Sequence, residues 1–370
     1  MATEWPMLMA LASVAIVFLV GQEQFYTIAN PGVLALLFVW LFAVILAGAI
    51  GVARHAEALA SLYREPVGTL ILTLSLVAIE VIMISSILFH DDPTPDIARD
   101  TLYSSLMIIV NGFLGGAVLL GGLRHGVQRY NLQSSRLYLS MLLALWGLAF
   151  FVPSYLPAAA KAPYKGFLIV LCIALFALFL RAQVAQHRYF FARVPKAKEG
   201  KARRRSSAEA GPMTMRQQLR SRRFHLASVV VTFTAIAVLS KYMAEVMDEG
   251  IQLLRLPAML APLAVAILVL SPKAIEAVKA ALANDVQRAV NIGLGSAVST
   301  IALAVPAMLV IGFAVGQPIT LALTPIQQVV VALTVIMAIN NYKDGDVNTM
   351  AGAVHFALFT AYVAIIVTAG

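Results

Sequence analysis

The sequence predicts an all-α polytopic membrane protein of about eleven transmembrane helices: one N-terminal helix, then two inverted five-helix repeats. Three observations predict it. Of 370 residues, 61% are hydrophobic and 12% charged, about half the charged share of a soluble domain. Apolar runs of roughly 20 residues recur along the chain, each long enough to cross a hydrocarbon core of about 30 Å. Five runs lie on each side of one long basic segment, and five is odd, so the second set enters the bilayer with opposite polarity.

The first run, 6–21, is short and ends at the polar stretch Gly21-Gln22-Glu23-Gln24. It shows no secretory cleavage pattern and is expected to stay. The first half holds runs 31–52, 66–89, 100–123, 137–156 and 164–181. The second holds 224–243, 257–281, 289–315, 322–340 and 349–369. Most connections are brief, so neighbouring helices pack antiparallel. The exception, 182–223, is rich in Lys, Arg, Ser, Gly and Pro and reads as a flexible linker. The chain thus divides into 1–30, 31–181, 182–223 and 224–370.

The net charge of +9 is local. Between Arg181 and Arg223, 13 Lys/Arg face only Glu199 and Glu209, an excess of 11 that leaves the rest of the chain at −2. That is one basic loop against an anionic leaflet, not a nucleic-acid-binding protein. With a cytoplasmic N-terminus, inner loops carry 21 Lys/Arg and outer loops four, namely Arg99, Lys161, Lys165 and Arg255. Without the linker the balance is still eight to four. The N-terminus and linker are therefore expected in the cytoplasm. The outer loops read as acidic, with Asp91, Asp92, Asp96 and Asp100 in one and Glu245, Asp248 and Glu249 in another. They are either cation-gathering mouths or solvated turns.

Two charges fall inside apolar runs. Glu80 lies about 3–5 Å from the middle of run 66–89, at 1.5 Å per residue. A carboxylate there is costly unless neutralised, paired or hydrated, and usually marks an ion path. Ser75 and Thr73 offer hydroxyls on the preceding turns. Lys273 lies about 6 Å from the middle of run 257–281. Pro272 beside it predicts a kink with freed carbonyls. Glu276 shares the face of Lys273 and is an alternative partner to Glu80. Each half repeats one pattern: a deep charge in one run, near Ser75 or Ser271, and small hydroxyls in the next. Those are the runs Asp100-Thr101-Leu-Tyr103-Ser104-Ser105 in the first half and Gly295-Ser296-Ala-Val-Ser299-Thr300 in the second, with Thr101, Ser104, Ser296 and Ser299 taken as the site candidates.

Asn111 and Asn291 lie in the same neighbouring runs, as ion ligands or as cross-helix hydrogen bonders. His355 reads as a satisfied interior histidine, with proton transfer the alternative. Cys172, the single cysteine, reads as core packing. No paired His/Glu metal motif, nucleophile–base pair or phosphate loop is present, so enzyme chemistry has no support. No cofactor is expected beyond transported cations.

The runs Gly68-Thr-Leu-Ile-Leu-Thr-Leu-Ser-Leu-Val-Ala-Ile-Glu80, Arg99-Asp-Thr-Leu-Tyr-Ser104, Ala281-Leu-Ala-Asn284-Asp-Val-Gln-Arg288-Ala-Val-Asn291 and Asp344-Gly345-Asp-Val-Asn348-Thr-Met-Ala-Gly352-Ala-Val-His355 resemble bacterial ChaA-type calcium/proton antiporters of the calcium/cation antiporter superfamily. The resemblance implies two inverted five-helix halves in a bacterial inner membrane, with proton-coupled extrusion of Na+, K+ or Ca2+. It places Glu80 at the acid that binds cation or proton, with Thr101, Ser104, Ser296 and Ser299 lining the same site. One position departs: the second-half acid of the family falls on Lys273. Two carboxylates suit a divalent ion, whereas one Glu and one Lys sum to about zero and favour a monovalent one. The expected cycle pairs Glu80 with Lys273 when empty. An arriving cation takes the carboxylate, and the lysine releases a proton. A cation channel and a membrane scaffold with a structural Glu80–Lys273 pair are the alternatives. The oligomeric state, monomer or homo-oligomer, stays open.

Overall fold

The computed structural model describes residues 4–20, 30–63, 67–88, 95–186, 188–191 and 215–369. Asp91, Asp92, the run Gly21–Gln24 and most of the linker lie outside them. The described residues contain eleven long helices. They are α1 Trp5–Val20, α2 Pro31–Ser61, α3 Val67–Leu88, α4 Ile97–His125, α5 Leu132–Tyr155, α6 Ala158–Arg181, α7 Met215–Leu254, α8 Leu260–Leu282, α9 Val286–Val315, α10 Pro325–Tyr342 and α11 Thr349–Ala369. Ten are long and apolar enough to cross a membrane. The shorter α1 has 16 residues and packs on α2 and α7.

Several helices outrun their apolar cores. α2 continues to Ser61 and α7 to Leu254, because backbone bonding continues where polar side chains meet water or headgroups. Glu245, Asp248 and Glu249, read as an outer loop, are therefore in the last turns of α7. Asp100 is not a loop acid either. It lies in the first turn of α4, 9% exposed. Local caps set other starts. Asn30 accepts from Gly32 and Val33 backbone N–H at α2, and Thr324 and Gln327 form a capping box at α10. All-α holds except for one short ladder: β1, Gln128–Arg129, pairs antiparallel with β2, Asp346–Val347, joining the α4–α5 and α10–α11 turns.

The crossing directions alternate, so α2–α6 and α7–α11 run as two five-helix sets of opposite sense. The linker leaves α6 and enters α7 on one face of the bundle, called the linker face below. The third helices of the two sets, α4 and α9, are the most enclosed. Each contains a wide π-helical stretch, Ile108–Leu114 in α4 and Thr300–Ala304 in α9, a feature concentrated at functional sites. The kink expected at Pro272 does not break its helix: α8 is continuous from Leu260 to Leu282. Neighbours in a packed bundle can hold such a helix together despite the missing N–H.

Two apolar clusters organise the packing. One joins α4–α6 with α9–α11, and the other joins α1, α2 and α7. Both include side chains of α3 and α8: Val77 and Leu270 belong to the first, Ile79 and Leu268 to the second. α3 and α8 thus form the seam between two bodies, and both deep charges are on that seam.

Glycines permit a close helix approach between α4 and α11. A Cβ on Gly122 would stand 2.6 Å from Thr349 N, and one on Gly352 would collide with the Leu119 backbone. Lipid tails are as apolar as leucine, so close backbone packing is a main attraction between membrane helices. Gly352→Ala is expected to lower unfolding stability in detergent by about 1–3 kcal/mol through overpacking. Gly166→Ala in α6 meets nothing within 4 Å and is expected to be neutral or slightly stabilising. Thermal unfolding of the two variants checks the contrast.

Candidate functional site

Glu80 on α3 is 1% exposed. Thr300, the first residue of the π-helical stretch of α9, donates its hydroxyl to Glu80 Oε2 at 2.8 Å. Glu80 Oε1 has no hydrogen-bond partner among the described residues, and neither does the hydroxyl of Ser105 on α4, which lies beside the carboxylate. A fully buried carboxylate with a single donor is under-satisfied, and burying such a charge is costly unless a proton or cation joins it. The Ser105 hydroxyl is close enough to act on the carboxylate, so a small shift would let it donate to Oε1; a small cation or a proton is the other way to satisfy that oxygen.

Lys273 on α8 is 7% exposed and within electrostatic reach of Glu80. The expected ion pair is not made as a contact, however. No nitrogen–oxygen distance of 4.0 Å or less joins the two side chains among the described salt bridges. Glu276 does not pair with Lys273 either. Its Oε2 meets Arg288 Nη2 at 3.3 Å, and both side chains are about half exposed.

A cavity of about 220 Å³ leads toward the pair. Lys273, Ser296 and Ser299 line it with Thr73 and Leu76 of α3. Glu57, Gln183, Glu276 and Asn291 line it as well, and all four lie near helix ends at the linker face. Glu80 itself is not on the wall. The lining residues nearest to it are Leu76, one turn earlier on α3, and Ser299, next to Thr300. Polar ties cross the opposite face. Arg99 Nε donates to Asp100 Oδ1 at 2.8 Å, Gln327 Nε2 donates to the same oxygen at 2.9 Å, and Arg99 Nη1 donates to the Ala322 carbonyl. The Thr320 N–H also reaches the Pro95 carbonyl.

The structure brings Glu80, Lys273, Ser296 and Ser299 to one end of this cavity, with Asn291 and Glu276 further out. Asn291 is held there by the Phe191 carbonyl and by Gln287, each at 2.9 Å. The other candidates are elsewhere. Ser75 is half-buried and is not a lining residue, and Ser271 donates back to the Ile267 carbonyl of its own helix. Thr101 likewise turns to Ile97 O at 2.8 Å. Ser104 accepts from Tyr362 at 2.6 Å, on the side of α4 facing α11. Asn111 belongs to a separate buried cluster, donating to Thr334 at 2.7 Å and contacting His355 Nδ1 at 2.8 Å. His355 Nε2 has no partner among the described residues, so that histidine is only half satisfied.

Sequence reasoning included Thr300 and Ser105 in the two hydroxyl runs but did not choose them as the hydroxyls beside Glu80. Each is one residue beyond the candidate chosen in its run, Ser299 or Ser104. One residue is about 100° around a helix, enough to change the face presented.

Two inverted five-helix halves, a half-satisfied carboxylate on the seam and a cavity open to one face define an inverted-repeat membrane transport protein. The chain belongs to the sodium/calcium exchanger protein family, matching it twice, over residues 33–185 and 224–368. It is 32% identical over 360 residues to the sodium-potassium/proton antiporter ChaA of Escherichia coli (strain K12), covering 97% of this chain and 95% of that one. It is 29% identical to the putative ionic transporter y4hA of Sinorhizobium fredii (strain NBRC 101917 / NGR234), over 84% of this chain and 82% of that one. Among solved structures, native YfkE shares the fold with a TM-score of 0.73 at 18% identity, covering 97% of this chain and 98% of that one. The H+/Ca2+ exchanger CAX gives 0.64 at 13% identity, over 98% and 89%.

Thr300→Val removes the donor to Glu80 while keeping the shape. It is expected to cost about 1–3 kcal/mol, because a buried oxygen loses its donor. Thr300→Ser should restore stability. Urea or thermal unfolding in detergent reads both.

Proposed function

We propose that the protein is a secondary active antiporter that exports Na+, K+ or Ca2+ in exchange for H+, by alternating access around Glu80. The observation that carries this reading is the buried, half-satisfied carboxylate at the closed end of a one-sided cavity, on the seam between inverted halves. An intramembrane acid of this kind is costly and is retained where it binds cargo. The relatedness to a sodium-potassium/proton antiporter supports the same class.

The described form corresponds to an inward-open state if the linker face is cytoplasmic, as the loop charges favour. Cations enter past Glu276, Glu57 and Asn291, move along Ser296 and Ser299, and reach Glu80 once Leu76 and the first π-helical turn of α9 yield. Lys273 stands beside that route. A cation on Glu80 and an ammonium on Lys273 repel each other in a medium that screens poorly, so cation arrival drives the lysine proton off. Reversal on the other face, after Arg99 and Gln327 release Asp100, completes the exchange. One cation for one proton makes the cycle electroneutral.

The same charge count favours Na+ or K+ over Ca2+. A calcium ion takes six to eight oxygen ligands, several of them carboxylates. Among the described residues no group of three or more His, Cys, Asp or Glu is placed to hold a metal ion. A channel would need a continuous path, which the ties at Arg99 and the wall before Glu80 interrupt. A scaffold built on a Glu80–Lys273 pair would need a direct contact that is not made.

Reconstituted into liposomes with a pH dye and clamped voltage, the protein is expected to move protons against Na+ or K+ at a rate independent of potential. Glu80→Gln should reduce exchange at least 100-fold, while Glu276→Gln, altering only the outer cavity, should reduce it less than tenfold. Normal exchange by Glu80→Gln contradicts the central role of that residue. Faster exchange with Ca2+ than with Na+ or K+ contradicts the monovalent preference.

A further inference from the structure

The transport site does not use a second cluster of titratable side chains at the linker face. Glu4 at the start of α1, His55 near the end of α2 and His225 near the start of α7 meet there from three elements. His55 Nε2 lies 2.9 Å from Glu4 Oε2, and His55 Nδ1 lies 2.9 Å from His225 Nδ1. His55 is buried, its side chain 8% exposed. Phe224 packs edge-on to both imidazoles.

We propose that these residues form a proton-operated latch, which docks the start of α7 on α2 and opens when the linker side turns acid. Two ring nitrogens 2.9 Å apart are bonded only when a single hydrogen lies between them. The carboxylate of Glu4 accepts the Nε2 hydrogen of His55, which leaves His55 Nδ1 to accept from His225, or to donate to it when His55 is cationic. In either case the pair tolerates one positive charge at most, balanced by Glu4. A second proton sets N–H against N–H and two like charges at contact.

Among the described residues, no other nearby carboxylate is seen to compensate. Glu57 on α2 is exposed and turned to the cavity, Arg54 on α2 and Arg223 on α7 are exposed, and Arg222 is engaged with the Leu62 carbonyl and the Tyr63 ring. These neighbours add positive charge, so the doubly protonated state is not rescued. Histidine is the side chain whose ordinary titration falls between pH 5 and 8.

The latch sits behind the transport cavity. Ala53 and Glu57 flank His55 on α2, and both line the cavity. Opening it frees the start of α7, where the basic linker ends, and slackens that wall. If exchange runs in the proposed direction, protons delivered to this face then slow further delivery. This braking role rests on the antiport reading, whereas the latch itself does not.

Hydrogen–deuterium exchange of residues 221–230 in the full-length protein, at pH 5.5 and 7.5 and corrected for intrinsic rates, tests the latch. His225→Asn keeps one hydrogen-bonding amide without titrating. Wild type should lose at least tenfold protection at pH 5.5 relative to pH 7.5, and His225→Asn should not. Glu4→Gln, which keeps an acceptor but removes the charge, should shift the loss to higher pH. An identical pH response in wild type and His225→Asn, or unchanged wild-type protection at pH 5.5, overturns the latch. For the braking role, exchange by His225→Asn liposomes should be less sensitive than wild type to acid on the linker side, and equal sensitivity overturns it. Failure of the antiport reading is read separately, because Glu80→Gln should leave the hydrogen-exchange pattern of residues 221–230 unchanged.

Discussion

The constraint on which the rest depends is a carboxylate held away from water inside an apolar bundle. Glu80 has one hydrogen-bond donor, Thr300, and one oxygen without a partner among the described residues. In a hydrocarbon surround that arrangement is costly, and under the proposed antiport reading a mobile proton or cation meets the cost. On the same reading, the cavity on one side, the ties at Arg99 and Asp100 on the other and Lys273 nearby bear on when that charge arrives and leaves.

The fold supplies what this constraint needs. Inverted halves place Glu80 and Lys273 at matching depths on corresponding helices, α3 and α8. Those helices are shared by the two apolar clusters, so the two charges sit where the clusters meet. Glycines let α4 and α11 approach closely and keep one body rigid. The π-helical stretch of α9 begins at Thr300, beside Glu80, a placement common at functional sites.

Much of the fold was legible from apolar run lengths, because a bilayer thickness sets how long such runs must be. Helix ends were not, since residues past the hydrocarbon continue a helix without staying apolar; α2 to Ser61 and α7 to Leu254 are the examples. Glu80 and Lys273 were legible as charges within apolar runs. Their hydroxyl neighbours were legible only as runs, because choosing Thr300 over Ser299 requires the helical phase at a π-helical turn. Asp100 looked like a loop acid because its partner Gln327 is 227 positions away. The contact of His55 with His225, 170 positions apart, was hidden for the same reason. Pro272 lies inside α8, which continues through it from Leu260 to Leu282.

The central claim is that cation on Glu80 and proton on Lys273 exclude each other at the end of one cavity. Proton release on cation binding, measured in weakly buffered detergent solution with purified protein, tests it most directly. Saturating Na+ or K+ is expected to release about one proton per chain from wild type, and close to none from Lys273→Met or Glu80→Gln. Binding of Na+ or K+ to wild type without proton release, or unchanged release from Lys273→Met, would contradict the account.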